Sequence, residues 1–156
     1  GAEHTNLALL KRARAENPGA VVIYKPHPDV EAGLRTGALP EVEVLAHADL
    51  ILRDTSPADL IDAVDEVWTI TSLLGFEALI RGKPVTCLGM PFYAGWGLTR
   101  DLFPAPARRT ARPSLAALAH AALIEGIKRI RFNGHPDAAM ALRDIARQLD
   151  AMVLQG

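Results

Sequence analysis

Asp65-Glu66-Val67-Trp68-Thr69-Ile70-Thr71-Ser72-Leu73-Leu74-Gly75-Phe76-Glu77-Ala78-Leu79-Ile80-Arg81-Gly82-Lys83-Pro84-Val85-Thr86-Cys87-Leu88 divides into three pieces. The run ending at Ile70 predicts a strand. Thr71-Ser72 predicts a turn with a capping hydroxyl, followed by a helix that Gly82 stops, with Pro84 just beyond. Val85 to Leu88 predicts a second strand, buried on both faces. A strand, a helix and a strand in immediate succession predict a parallel pair joined by a crossover.

The same alternation continues outward in both directions. His4 to Arg14 predicts a short helix that stops at Asn17-Pro18-Gly19. Ala20-Val21-Val22-Ile23-Tyr24 is a continuous apolar run and predicts a strand buried on both faces. Lys25-Pro26-His27-Pro28-Asp29 follows it, and its two prolines hold Lys25, His27 and Asp29 on a stiff loop at the strand's carboxyl end. Gly33 to Pro40 reads as loop, Glu41 to Ala48 as a short helix and Leu50 to Arg53 as a strand. Ser56-Pro57-Ala58-Asp59 supplies an N-cap serine, a proline at the first helical position and an acid in the first turn, so a helix runs to about Val64. Gly89 to Asp101 reads as an aromatic, glycine-rich loop. The proline-rich stretch Phe103 to Pro113 leads to Ser114, which caps a further helix, and Pro136 to about Val153 reads as a final amphipathic helix. Strands alternating with helices predict an α/β fold with a doubly wound parallel sheet, Rossmann-like, in one domain over residues 1–156, with its core at about 16–125 and a helical tail over 126–156.

Composition narrows the function classes. The chain has 156 residues, with 17 basic side chains against 18 acidic ones, so no global field marks it as a nucleic-acid binder and any anion site is local. Cys87 is the only cysteine, which excludes a disulfide framework and reads as a buried bystander. No apolar run reaches the roughly 20 residues of a membrane span, so a soluble domain is expected. The opening Gly-Ala-Glu, in place of a Met, suggests an excised piece of a longer chain or a processed tag.

In parallel α/β sheets ligands bind outside the carboxyl ends of the strands, where loops converge with helix amino termini. The segments around His27, Ser72 and Tyr93 all fall at that end. Amides at the start of the helix after Ser72, with its hydroxyl, suit a phosphate, although Ser72 also reads simply as an N-cap. Gly75 weakens a helix, so it implies close approach of a ligand or of the sheet. Glu77 suits ribose hydroxyls, or is a favourable acid near a helix start. His27 donates to a phosphate, or acts as an acid toward a leaving phosphate, or is a surface residue; Lys25 adds charge beside it. Tyr93, Gly95, Trp96 and Gly97 sit in a loop whose aromatics serve either base stacking or packing against another domain. No metal ligand set emerges, since His4, His47, His120 and His135 are scattered singly. The P-loop, the G-x-G-x-x-G fingerprint and the G-x-S-x-G elbow are all absent, which argues against an NTPase, a nicotinamide dehydrogenase and a serine hydrolase.

Four segments together, Lys25 to Asp29, Val64 to Val67, Thr71 to Leu79 and Pro91 to Gly97, resemble in order and spacing the capsular polysaccharide β-Kdo transferase family. The likeness covers roughly residues 20 to 123; past it, Glu125-Gly126-Ile127-Lys128-Arg129-Ile130 departs from the proline- and tyrosine-rich continuation of that family. The resemblance implies a GT-B fold, with this chain as the carboxyl-terminal, nucleotide-binding half. It implies transfer of Kdo from CMP-Kdo with retention, building the Kdo linker on a lipid-linked glycan acceptor, without a cofactor or metal. It further implies that His27, of the His27-Pro28 pair, and Ser72 hold the CMP phosphate, with Lys25 counted beside them in the nucleotide site, that the backbone of Leu73, Leu74 and Gly75 adds donors, and that Glu77 binds the ribose. The nucleophile is then expected on the amino-terminal GT-B domain, which leaves the isolated chain binding donor without turnover. The parent enzyme is expected in the cytoplasm, peripheral to the inner membrane. Two other readings stand beside this one: a sugar-nucleotide-binding module without chemistry, and a GT-B transferase or epimerase using a UDP-sugar.

Overall fold

The computed structural model describes residues 5–27 and 38–125. They form α1 (Asn6–Glu16), β1 (Ile23–Tyr24), α2 (Glu41–Leu45), β2 (Leu50–Ile51), α3 (Pro57–Ala63), β3 (Val67–Thr69), α4 (Leu73–Ile80), β4 (Val85–Cys87), β5 (Arg100–Asp101) and α5 (Leu115–Ala119), followed by a π-helical run over His120–Glu125. Two compact units are present, Gly1–Arg108 and Arg109–Gly156. The break lies within the proline-rich stretch, upstream of the tail boundary expected at residue 126, where prolines prevent either neighbouring element from extending. Pro28, Asp29 and the expected helix from Pro136 to about Val153 lie outside the described residues.

Every strand pairing among the described residues is parallel, as the alternation of elements required. β1 pairs with β2, Ile23 opposite Leu50; β3, β4 and β5 form a second sheet, with Val67 opposite Val85 and Thr86 opposite Arg100. The β3–β4 ladder continues past both strands, with the Leu88 amide donating to the Thr69 carbonyl and the Gly89 amide to that of Ile70. All of β4 is buried, as its composition predicted. Its one hydroxyl, on Thr86, is satisfied by donating to Glu66 Oε1 at 2.6 Å.

Three expectations need correction. The apolar run at residues 20–24 is not buried on both faces: Val21 is 70% exposed, and Ile23 and Tyr24 are half-buried. The reason is coverage. Among the described residues a small cluster packs on that side, Leu10 of α1 with Val44 and Ala48, against which Val22 and Tyr24 are partly buried, and α2 is too short to extend it. The loop expected over Gly89 to Asp101 ends in a strand, β5, whose charged residues carry no apolar signal because it contributes backbone pairing to an edge. Ser56 makes no side-chain capping bond; Pro57 at the helix start removes one of the amides that would need a partner, and the Ser56 carbonyl accepts from Leu60. Thr5, Ser72 and Ser114 do cap, each accepting from an amide of its own helix.

Candidate functional site

α4 begins where β3 ends, and its start is closely tied to the sheet. The Ser72 hydroxyl accepts from the Leu74 amide at 3.2 Å, and the Ser72 amide donates to the Thr69 hydroxyl at 3.2 Å. The Ser72 carbonyl accepts from the Gly75 amide at 3.2 Å. It also accepts from the Tyr93 hydroxyl at 2.5 Å. Leu73 projects outward, 68% exposed. Glu77, one turn further along, is partly exposed and pairs with Arg81 at 3.5 Å, which also reaches Asp62 of α3 at 3.0 Å.

The aromatic loop lies against this helix start. Tyr93 is fully buried, and its ring stacks on Phe76 of α4 with centroids 5.9 Å apart. Phe92 meets both rings edge-on, at 4.9 Å and 5.2 Å. The space beside Gly75 is what Tyr93 occupies: a methyl group there would lie 2.3 Å from the Tyr93 hydroxyl and 2.9 Å from Thr69 Cγ2. Gly75 thus stands in close approach to Thr69 of the sheet and to the loop residue Tyr93. Trp96 is half-buried and donates its ring N–H to the Phe92 carbonyl at 2.7 Å.

Asp101 is the residue that sequence reasoning left without a role. One of its oxygens accepts from the Gly95 amide at 2.9 Å and the other from the Thr99 hydroxyl at 2.6 Å. Gly95 and Gly97 have φ of 79° and 86°, in the left-handed region that a side chain disfavours, so the loop needs glycine at both. A carboxylate just past a glycine-rich stretch was the available signal, since such side chains accept from nearby loop amides. Burial, with the Asp101 charge a second cause, pushes the Cys87 thiol up to about 12. That agrees with Cys87 as an inert, buried residue.

Lys25 and His27 gather at the carboxyl end of the β1–β2 pair. Lys25 donates to the Arg53 carbonyl just past β2, and His27 is exposed. Beside them is a cleft of about 340 Å³, lined by Tyr24, Pro26, Leu39, Val44, Ile51 and Arg53 among others. A second cleft, of about 300 Å³, lies between α1 and the ends of β4 and β5, lined by Ala8, Arg12, Leu88, Leu102 and Phe103. The predicted residues thus fall into two groups, each just beyond a strand's carboxyl end: Lys25 with His27 after β1, and Ser72 to Glu77 after β3 with Tyr93 beneath it. Among the described residues no helix is long and apolar enough to cross a membrane.

The sequence profile of the family described as capsule polysaccharide biosynthesis protein matches residues 1–136. The capsule polysaccharide modification protein LipA of Neisseria meningitidis serogroup A is 48% identical over 121 residues, 78% of this chain and 17% of LipA. The lipopolysaccharide-processing protein LpsZ of Rhizobium meliloti is 50% identical over 123 residues, 79% of this chain and 28% of LpsZ. Among solved structures, the β-Kdo 2,7 transferase of Thermosulfurimonas dismutans KpsC superposes with a TM-score of 0.64 at 51% identity, covering 74% of this chain and 36% of that one. The β-Kdo 2,4 transferase of the same KpsC gives 0.61 at 42% identity, covering 71% and 34%. This chain therefore spans a third or less of the curated relatives it matches.

Proposed function

Because this chain belongs to the capsule polysaccharide biosynthesis family, with β-Kdo transferases as its solved relatives, we propose that it is the nucleotide-sugar-binding half of a retaining glycosyltransferase and that its donor is CMP-Kdo. The observation that carries the reading is the serine-capped start of α4. It stands at the carboxyl end of a parallel strand, where helix amides and the dipole's positive end favour a phosphate. His27 and Lys25, beyond the carboxyl end of β1, supply further donors to the CMP, and Glu77 takes the ribose hydroxyls.

In this reading the domain binds and orients. Retention through a carboxylate needs an acid close to the anomeric carbon, and we assign it to the opposite GT-B domain. The acceptor is a lipid-linked glycan, which would hold the parent enzyme at the cytoplasmic face of the membrane.

The test is to titrate CMP, CMP-Kdo and UDP against the purified chain and follow thermal unfolding. A selective ligand at 100 times its dissociation constant adds about 2.7 kcal/mol of stability. CMP and CMP-Kdo should stabilise and UDP should not; a preference for UDP would favour a UDP-sugar enzyme instead. Ser72→Ala and His27→Ala should each weaken CMP binding with the fold intact. Unchanged affinity in both would remove the site assignment.

A further inference from the structure

The peptide group that joins Ser72 to Leu73 has two ends, and they face different surroundings. At its oxygen end it is engaged by the fully buried Tyr93 hydroxyl at 2.5 Å. Its nitrogen end is the Leu73 amide. The neighbouring amides have partners inside the chain: Ser72 donates to Thr69, Leu74 to the Ser72 hydroxyl and Gly75 to the Ser72 carbonyl. Leu73 is left as the amide of this turn with no partner among the described residues. The peptide is trans, so its N–H points away from its C=O and from the Tyr93 hydroxyl that engages it.

From this we infer that Tyr93 is a positioning residue for the phosphate site: its hydroxyl fixes and polarises the peptide unit whose N–H, that of Leu73, is the phosphate donor. Two physical effects combine. A short bond to the carbonyl oxygen fixes the tilt of the whole planar unit, which sets the direction of the N–H. Hydrogen bonds in a chain also polarise one another, so a donor on the oxygen makes the N–H at the other end a stronger donor. The surroundings are built to keep the hydroxyl there. Phe76 and Phe92 hold the ring, and Gly75 is the only residue type that leaves room for the hydroxyl beside the helix. Burial pushes the phenol's pKa up, so it remains a donor through neutral and mildly alkaline pH.

The inference rests on the CMP reading above, and its test separates the two. Calorimetry would give the affinities of CMP and of cytidine, which lacks the phosphate, for the wild-type chain and for Tyr93→Phe, which keeps the ring and removes the hydroxyl. CMP affinity should fall about fivefold, the factor expected for one hydrogen bond of ordinary net strength, with cytidine affinity unchanged. If CMP and cytidine weaken together, or neither does, Tyr93 is only a packing residue and the inference is wrong. Should Tyr93→Phe fail to fold, Gly75→Ala provides the same reading. Its methyl would displace the hydroxyl, and selective loss of CMP over cytidine is again required. A wild-type chain that binds no CMP overturns the donor assignment itself and this inference with it.

Discussion

At Gly75 the ordinary preference of a helix is reversed. Alanine in place of a helical glycine normally stabilises by about 1 kcal/mol. Here the added methyl meets the Tyr93 hydroxyl at 2.3 Å and Thr69 Cγ2 at 2.9 Å, so Gly75→Ala should destabilise by roughly 1–3 kcal/mol, the usual range for overpacking. Adding Tyr93→Phe removes the nearest atom, and the double variant should melt above Gly75→Ala alone; additive losses in a denaturant titration would contradict the geometry. Cys87 gives a prediction in pH. Its thiol is raised from 9.0 to about 12, so the folded state holds a proton that the unfolded chain releases. That contribution is complete below pH 9 and is lost as pH rises toward 12. Melting temperature should therefore fall across that window, and Cys87→Ala should flatten the fall.

Among the elements, one side chain joins α1 to the β1–β2 pair alongside the apolar packing of Leu10. Arg14 donates to the Ala20 carbonyl at 2.8 Å and the His47 carbonyl at 3.1 Å, and pairs with Asp49 at 2.5 Å. Asp49 in turn accepts from the Val22 amide at 2.7 Å. That amide first, and Arg14 second, hold the Asp49 carboxyl below its ordinary value. A depressed carboxyl contributes stability above its unfolded pKa of 3.8, and loses it as pH falls through the folded value. Asp49→Asn should lower the urea midpoint at pH 7 by more than it does in acid well below pH 3.8, and equal losses at both would refute the linkage. The elements themselves were legible where residue chemistry is local: a capping Ser72, Pro57 at a helix start, a stop at Gly82, the mostly β-branched and wholly buried β4. β5 was not, because two charged residues on an edge are ordered by β4 beside them. The over-long reading of residues 20–24 failed for a related reason, as apolar composition does not say how much of the molecule covers it.

For the whole molecule, the alternation of strands and helices was sufficient to give a parallel α/β fold, and the four quoted segments were sufficient to give the family. The candidate site was legible as a set of residue types but not as an arrangement. Nothing in the spacing of Ser72 and Tyr93 announced that a buried phenol reaches the helix's first carbonyl, and Asp101 looked like any loop acid. The isolated chain should bind CMP-Kdo yet release no Kdo to an acceptor, and product formation by this chain alone, followed by mass spectrometry, would contradict a two-domain reaction. The chain's path between β4 and β5 has its own kinetic consequence. Two parallel neighbours are normally bridged by a helix, but residues 88–99 form no helix, and the burial of Tyr93 and Ala94 takes that role. The edge strand therefore pairs only once the loop has packed, so the two should open as one cooperative unit. In native-state hydrogen exchange the Gly95 amide, held by Asp101, and the Leu102 amide, held by the Cys87 carbonyl, should exchange with one common free energy, and Asp101→Ala should unprotect both.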